Sequence, residues 1–194
     1  MASIIPRKQK IVLLGDAGVG KTSLLKYWID KQFSLEQAPT IGASFVESDY
    51  IFQEKKYHIQ IWDTAGEEKY RSMTPIYTQG SSGALIVFNL ADRSTFENVP
   101  AWLEMLDSPT SMKITLVGNK SDLQDHKVTF EEALDYCQSN SITYVEASAM
   151  NGNGVDCAFQ SVIVNDDLYQ SETFNEPATV DIEIKDEPPK KPCC

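Results

Sequence analysis

Residues 15–22, with the sequence GDAGVGKT, constrain the fold of this chain more than any other segment. They follow a short apolar run at residues 10–15 (KIVLLG), which is typical of a buried strand, and they precede a segment of helical periodicity. A strand, a G-x-x-x-x-G-K-[ST] loop and a helix in this order form a phosphate-binding unit. The glycines let successive backbone N–H groups point at phosphate oxygens, and the helix N-terminus adds its positive dipole end. The segment therefore predicts a nucleoside triphosphate site.

Two side chains of this loop have their own expected chemistry. Lys21 is expected to bridge β- and γ-phosphate oxygens, and the Thr22 hydroxyl to coordinate Mg²⁺. The alternative is a glycine-rich turn that contains a lysine by chance. The candidate nucleotide contacts in the loop are Gly15, Asp16, Ala17, Gly18, Val19, Gly20, Lys21, Thr22 and Ser23.

A second motif, Asn119-Lys120-Ser121-Asp122, follows a predicted strand at residues 114–118. Open α/β sheets bind ligands at the carboxyl ends of their strands. The Asp122 carboxylate can accept hydrogen bonds from both N1–H and the exocyclic amine of guanine, a donor pair that adenine lacks. Residues 146–149 (EASA) follow another strand and offer a backbone N–H to guanine O6. An isolated NKxD also fits a solvated loop, but these motifs in this order predict GTP.

Apolar runs and helical patterns alternate along the chain. Strands are predicted at residues 10–15, 45–53, 55–63, 85–90, 114–119 and 142–146, and helices after residue 20 and at 102–106, 130–137 and 155–163. The helix at 102–106 is expected to begin near Pro100, because proline suits a first turn and would break a helix that began at Ser94. The pattern predicts an α/β fold with a six-stranded, mostly parallel sheet and helices on both faces.

The composition changes near residue 170, where prolines interrupt a polar stretch that is too poor in apolar residues to form a core. The predicted organisation is a GTP-binding domain at residues 1–169 and a flexible acidic tail at 170–194. The net charge of −11 argues against binding to nucleic-acid phosphates, which requires clustered Lys and Arg. No apolar run approaches the ~20 residues of a membrane-spanning helix, and the N-terminus lacks the apolar segment of a signal peptide, so a cytosolic chain is expected. Cys137 and Cys157 lie in apolar-periodic segments and are expected to be buried thiols.

Over residues 8–165 and the last two positions the sequence resembles the Ras-superfamily small GTPases, and within them the Rab branch. The resemblance rests on GDAGVGKTS (15–23), APTIGASF (38–45), IWDTAGEEKYR (61–71), GNKSD (118–122), EASA (146–149) and a terminal Cys-Cys. TIGASF and EKYRSMTPIY are most similar to the endosomal Rab subgroup. The resemblance implies the P-loop small GTPase fold, GTP and GDP as ligands, Mg²⁺ as cofactor and GTP hydrolysis as the activity.

The resemblance also implies roles for single residues at the nucleotide. Phe33 would stack on the guanine edge, and Thr40 would supply its hydroxyl to Mg²⁺ and its N–H to the γ-phosphate. Asp63 would hold Mg²⁺ through a water, and the Gly66 N–H would contact the γ-phosphate. Loss of that phosphate would release both segments, which is the order–disorder switch of GTPases. The base site would consist of Asn119, Lys120, Asp122, Ser148, Ala149 and Met150, with Met150 at the usual lysine position.

An effector surface is implied at Ile41, Gly42, Phe45, Trp62 and Tyr77. Its three aromatic residues resemble the Rab aromatic triad, although ordinary core packing is the alternative for aromatic residues on strands. The implied partners are effectors, a guanine nucleotide exchange factor, a GTPase-activating protein, a GDP-dissociation inhibitor and a prenylation escort protein. The chain itself is expected to be monomeric.

The catalytic position departs from the family. Lys21 fits its catalytic role, but Glu67 stands where the family has a water-positioning glutamine. An amide both accepts from water and donates toward the γ-phosphate, whereas a carboxylate only accepts. A slow GTPase is therefore expected, and a binding-only recruitment platform that stays loaded with GTP is the alternative. A soluble P-loop ATPase is a third reading, which the NKSD motif disfavours.

The terminal Cys193-Cys194 is not a CaaX box, and it resembles the Rab signal that is geranylgeranylated on both residues. Two lipid chains make membrane association stable where one is marginal. An unmodified, exposed dithiol is the alternative. The expected location is the cytoplasmic face of endosomal or other vesicle membranes, with a cytosolic pool, and the expected role is effector recruitment in vesicle traffic.

Overall fold

A computed structural model of the chain describes residues 7–52, 55–67, 72–107 and 109–163. Its strands are β1 (Arg7–Leu14), β2 (Ala43–Phe52), β3 (Lys55–Thr64), β4 (Gly83–Asn89), β5 (Lys113–Asn119) and β6 (Thr143–Glu146). Its helices are α1 (Lys21–Asp30), α2 (Thr74–Thr78), α3 (Arg93–Glu97), α4 (Val99–Leu103), α5 (Phe130–Ser139) and α6 (Val155–Val162), with a 3-10 turn at Pro109–Ser111.

The strands form a single six-stranded sheet in the order β2-β3-β1-β4-β5-β6. The hairpin partners β2 and β3 are antiparallel, and every other neighbouring pair is parallel. In register, Ile11 of β1 lies between Ile61 of β3 and Gly83 of β4. The predicted α/β fold with a mostly parallel sheet is confirmed. The parallel arrangement brings the carboxyl ends of β1, β3, β4, β5 and β6 to one edge.

Helices cover both faces of the sheet, as predicted. Alternate strand residues point to opposite faces, so Leu13 and Val87 join one core with α1 and α6, whereas Leu14 and Phe88 join the other with α3, α4 and α5. On the first face, Trp28 of α1 stacks on Phe159 of α6 with 4.6 Å between the ring centroids. Helices α1 and α6 are therefore joined by a large apolar contact on this face of the sheet.

The helical region around Pro100 differs from the prediction. A helix begins earlier, at Arg93, because the Asp92 side chain accepts a hydrogen bond from the Ser94 N–H and caps its first turn. Proline at position 100 has no N–H to offer to the carbonyl of Phe96, which instead accepts from the Asn98 N–H. The helix ends at Glu97, and a second short helix, α4, starts at Val99 with Pro100 in its first turn. The predicted start near Pro100 therefore holds for α4 and misses α3.

The two cysteines within the described residues differ in burial. Cys137 is buried as expected, but Cys157 is exposed, because it lies on the outward side of α6 while Val155 and Phe159 face the core. The predicted domain boundary at residue 169 and the two terminal cysteines lie outside the described residues. Within residues 7–52, 55–67, 72–107 and 109–163, no helix combines the length and apolar character needed to cross a membrane.

Candidate nucleotide-binding site

A cleft of about 750 Å³ opens at the carboxyl edge of the sheet. Residues of all the sequence motifs line it, although they are distant along the chain. The predicted contacts among them are Ala17, Gly18, Gly20, Lys21, Thr22, Ser23, Phe33, Thr40, Gly66, Glu67, Asn119, Lys120, Asp122, Ala149 and Met150. The volume lies in the range of small-molecule and cofactor pockets.

The phosphate loop between β1 and α1 requires glycine where the chain is crowded. Gly15 has a φ of +136°, and a Cβ added there would lie 2.1 Å from the Val87 carbonyl oxygen. Gly20 has a φ of +99°, and a Cβ there would lie 2.3 Å from Nδ2 of Asn119. The loop therefore reaches its curled conformation only with glycine at these positions. Gly15, Asp16 and Val19 do not line the cleft themselves, and Val19 is part of the core.

Lys21 is held inside this loop. Its side chain is 6% exposed, and its ammonium donates to the carbonyl oxygens of Gly15 at 2.7 Å and Asp16 at 2.9 Å. Burial lowers the pKa of Lys21 to about 8, although the charges of Asp63 and Asp16 act in the opposite direction. A buried cation at the base of a cleft favours an anion such as a phosphate group.

The three predicted Mg²⁺ ligands lie together. The Thr22 hydroxyl donates to Oδ2 of Asp63 at 2.6 Å and lies 3.0 Å from the Thr40 hydroxyl. Burial raises the pKa of Asp63, and its Oδ1 is buried with no hydrogen-bond partner among the described residues. A buried carboxylate beside two hydroxyls provides the hard oxygen ligands that Mg²⁺ prefers. The residues present therefore fit this cation.

The base side of the cleft is built around Asn119 and Ser148. The Asn119 amide donates to the Val19 carbonyl oxygen at 2.7 Å, which joins the NKSD motif to the phosphate loop. The Ser148 hydroxyl donates to Oδ1 of Asp122 at 2.5 Å and accepts from the backbone N–H of Met150. Ser148 is fully buried and does not line the cleft. Its observed position is behind Asp122, so it orients that carboxylate rather than facing the cleft.

A protein-family model described as the Ras family matches residues 10–166. The chain belongs to the Ras family of small GTPases. The Ras-related protein rab-11.1 of Caenorhabditis elegans is 37% identical over 199 residues, which cover 95% of this chain and 93% of the relative. GTP-binding protein ypt3 of Schizosaccharomyces pombe is 42% identical and Ras-related protein Rab-11A of Dictyostelium discoideum is 40% identical, each over 79% of this chain and 73% of the relative.

These relatives confirm the resemblance to the Rab branch and to its endosomal subgroup, and two of them carry Rab11 names. As a Ras-family protein, the chain is a GTPase and binds guanine nucleotide. Membership in this family excludes the hypothesis that the chain is a P-loop ATPase. It does not favour the hypothesis of a platform that binds GTP without hydrolysing it.

In this small GTPase, the segment after β3 contacts the phosphate loop directly. A Cβ added at Gly66 would lie 2.2 Å from the carbonyl carbon of Asp16 and 2.3 Å from the nitrogen of Ala17, so only glycine fits. Glu67, the next residue, lines the cleft and is partly exposed. Glu67 therefore lies at the same end of the cleft as Gly66 and the phosphate loop.

The predicted aromatic surface is continuous in the GTPase fold. The ring centroids of Phe45 and Trp62 are 5.0 Å apart, and those of Trp62 and Tyr77 are 5.5 Å apart. Phe45 is 45% exposed and Ile41 80% exposed, whereas Trp62 and Tyr77 are partly buried and pack against the second core. Lys10 lies over the Trp62 ring, 5.2 Å from its centroid, a contact that the sequence analysis did not anticipate.

Sequence reasoning missed several residues of the site. Leu123 and Leu35 line the cleft, and both are exposed apolar side chains. Leu123 directly follows the NKSD motif, so its position was a usable signal. Asn98 and Trp102 hydrogen-bond the Asp16 carboxylate, and no local pattern indicates a contact over such a sequence separation.

Substitution of Thr22 by Asn tests the hydroxyl that joins α1 to Asp63. The bulkier amide removes this ligand, so Mg²⁺ affinity should fall by at least about tenfold. GTP affinity should fall more than GDP affinity, because a γ-phosphate adds charge that the cation neutralises. Fluorescent-nucleotide titrations at varied Mg²⁺ measure both. Thr143→Asn, at the exposed start of β6, is the control, and an unchanged GTP affinity in Thr22→Asn would contradict the assignment.

Substitution of Asp122 by Asn tests base selection. An amide presents a donor where guanine requires an acceptor, so the ratio of affinities for GDP over xanthosine diphosphate should fall by about tenfold or more. Competition binding with the two nucleotides measures this ratio. Asp125→Asn removes a carboxylate from the same loop, where it contacts Lys127, and should leave the ratio unchanged. Full discrimination in Asp122→Asn would argue against the assigned role.

Proposed function

We propose that this chain is a membrane-tethered switch that alternates between GDP- and GTP-bound forms and recruits effectors in endosomal or other vesicle traffic. The observation that carries the proposal is the meeting of Thr22, Thr40 and Asp63 at the phosphate end of the cleft. These residues belong to the phosphate loop helix, the segment before β2 and the end of β3. A ligand that binds all three side chains therefore connects the cleft to the segment before β2 and to the end of β3. Both of these segments border the aromatic surface.

In this proposal the hydroxyls of Thr22 and Thr40 would hold Mg²⁺, with Asp63 acting through a water. The cation would supply positive charge that offsets the charge of the phosphates. Lys21 binds the same phosphates from the base of the cleft, and its burial keeps water away from that contact. The backbone N–H groups of Thr40 and Gly66 donate to the γ-phosphate. Only the triphosphate engages both, so only GTP orders both segments.

The base contacts follow from the same cleft. Asp122 accepts from guanine N1–H and the exocyclic amine, with Ser148 holding its orientation. Lys120 lies under the base and Phe33 at its edge. The Ala149 N–H, which donates to Oδ1 of Asn119 at 3.3 Å in this structure, would turn from that oxygen to O6 when the base binds. Met150 replaces a lysine with an apolar chain that is 59% exposed and can pack on the base. The Asp122 carboxylate accepts from both guanine donors, and adenine lacks that donor pair. These residues therefore select guanine over adenine.

The effector surface in the proposal comprises Ile41, Gly42, Phe45, Trp62 and Tyr77. Two contacts support it. Trp62 stacks on Tyr77, and a Cβ at Gly42 would lie 3.9 Å from the Tyr77 hydroxyl. The patch therefore joins the segment after Thr40, the β2–β3 hairpin and α2. Ordering of the segments by GTP changes this surface, and an effector that binds it distinguishes the two nucleotide states.

The tether in the proposal is geranylgeranylation of Cys193 and Cys194, both outside the described residues. The acidic character of the tail offers little attraction to anionic lipid, so the lipids supply the anchoring. A prenylation escort protein presents the tail for modification, and a GDP-dissociation inhibitor maintains the cytosolic pool. An exchange factor and a GTPase-activating protein set the nucleotide state.

The switch is tested by hydrogen–deuterium exchange in the GDP form and in the form with a non-hydrolysable GTP analogue and Mg²⁺. Amide exchange at residues 40–42 and 65–67 should slow by about tenfold or more with the GTP analogue, because Thr40 and Gly66 then donate to the γ-phosphate. Amides of Leu85 and Val117, in buried strands, are the internal control. Equal exchange in the two forms would rule out this switch.

Hydrolysis in the proposal is slow because of Glu67. In phosphoryl transfer the protein contributes positioning and electrostatic stabilisation. Glu67 can accept a hydrogen bond from the attacking water, but it cannot donate toward the transferring group, and it adds negative charge beside the phosphates. The chain therefore retains intrinsic hydrolysis and responds weakly to activating proteins that are matched to an amide.

Substitution of Glu67 by Gln restores the donor. It should raise the rate stimulated by a Rab-activating protein more than the intrinsic rate, with a gain of about tenfold in the stimulated rate. Single-turnover phosphate release with several activators measures both, since an activator that supplies its own glutamine would hide the defect. Glu104→Gln, on the exposed end of α4, is the control. Equal stimulation of wild type and Glu67→Gln by every activator would contradict the role of Glu67.

A further inference from the structure

The Asp16 side chain points away from the cleft although the residue belongs to the phosphate loop. One carboxylate oxygen accepts from Nδ2 of Asn98 at 2.7 Å, and the other accepts from Nε1 of Trp102 at 2.9 Å. Both donors lie on the α3–α4 region, more than eighty residues further along the chain. The two contacts are charge-assisted, which makes them among the stronger hydrogen bonds in a protein.

The main chain of Asp16 is the point where two functional parts of the site meet. Its carbonyl oxygen accepts from the Lys21 ammonium at 2.9 Å. The same peptide is in close contact with Gly66, whose added Cβ would lie 2.4 Å from that oxygen. A rotation of the Asp16 peptide would therefore displace both the phosphate-binding lysine and the segment that carries the γ-phosphate contact.

The two donors differ in burial. Trp102 is 1% exposed and packs in the core, where its N–H requires an acceptor. Asn98 is at the junction of α3 and α4 that Pro100 creates, and its backbone N–H bonds to the carbonyls of Ser94 and Phe96. Packing therefore fixes the Trp102 side chain as a support for Asp16, whereas the exposed Asn98 side chain is placed by its hydrogen-bonded backbone.

We propose that Asn98 and Trp102 are positioning residues that hold the phosphate loop in its nucleotide-retaining conformation through the Asp16 carboxylate. The inference deepens the proposed function, because it rests on the cleft binding guanine nucleotide. The two side chains contact neither nucleotide nor Mg²⁺ in this scheme. They fix the Asp16 peptide, and that peptide fixes Lys21. Loss of either donor loosens the loop and speeds nucleotide release.

The first experiment measures release of a fluorescent GDP from the full-length chain at saturating Mg²⁺. Asn98→Asp keeps the size of the side chain but places a second carboxylate against Asp16, so GDP release should accelerate by about tenfold. Trp102→Phe removes the N–H and keeps a ring in the core, and a smaller acceleration of about threefold is expected. Glu97→Ala, at the residue preceding Asn98, removes a side chain that contacts Arg93 and is the matched control.

A variant in which the side chains at positions 16 and 98 are swapped distinguishes a positioning role from a general effect on stability. In the Asp16→Asn, Asn98→Asp double variant, the amide at position 16 can donate to the carboxylate at position 98, while its oxygen still accepts from Trp102. The release rate should return to within about threefold of wild type. A purely structural role would lower the melting temperature of the variants without this recovery of the release rate.

The outcomes distinguish the two proposals. If the wild-type chain does not retain guanine nucleotide, the proposed function fails first. If it does, and Asn98→Asp releases GDP at the rate of wild type and of Glu97→Ala, the positioning inference alone is overturned. A double variant that releases GDP as fast as Asn98→Asp also overturns it. If Asn98→Asp does not fold, Trp102→Phe supplies the same comparison.

Discussion

The hydrogen bond from Thr22 to Asp63 connects two segments that are 41 residues apart in the chain. It closes the phosphate end of the cleft, because Thr22 lies in the first turn of α1 and Asp63 lies near the end of β3. The buried Asp63 carboxylate has one oxygen engaged by Thr22 and one without a partner in the described structure, which is a costly arrangement unless a cation is bound. The position of Thr40 beside the same hydroxyl extends the connection to the segment before β2. This group therefore joins α1, the end of β3 and the segment before β2 at the phosphate end of the cleft.

Much of this arrangement could be predicted from the sequence because the underlying constraints are local. The strand, glycine loop and helix around Lys21 have a fixed spacing, and the alternation of Tyr57, Ile59 and Ile61 indicates a strand with one face in the core. The NKSD motif likewise indicates a loop at the end of a strand. In each case the residues that determine the local structure are adjacent in the chain.

The predictions that failed depended on competition between local signals or on distant contacts. Pro100 favoured a helix start near residue 100, but the Asp92 side chain caps a helix that begins earlier, at Arg93. The proline only interrupts the helical region after Glu97. Cys157 shares the apolar periodicity of α6 but lies at its margin, and helical rotation places it outside the core. The support of Asp16 by Asn98 and Trp102 combines residues from two elements, and only the folded sheet brings them together. Ser148 is a related case, since its motif indicated the cleft whereas its side chain lies behind Asp122.

The β2–β3 hairpin affects whether copies of this protein can associate through their sheets. Strand β2 is the outermost strand of the described sheet, and outermost strands are sites where chains can join edge to edge and aggregate. Its exposed side carries Glu47 and Asp49. Glu47 accepts a hydrogen bond from Nε2 of Gln60 at 2.8 Å, and Asp49 lies 3.0 Å from Nδ1 of His58, both on β3. A hydrogen bond from Gln60 lowers the pKa of Glu47, and one from Lys56 lowers the pKa of Asp49, so both carboxylates keep their charge in mildly acidic surroundings. Charged side chains on an outermost strand oppose edge-to-edge pairing, so Glu47 and the Asp49–Lys56 ion pair disfavour growth of the sheet from one molecule into the next.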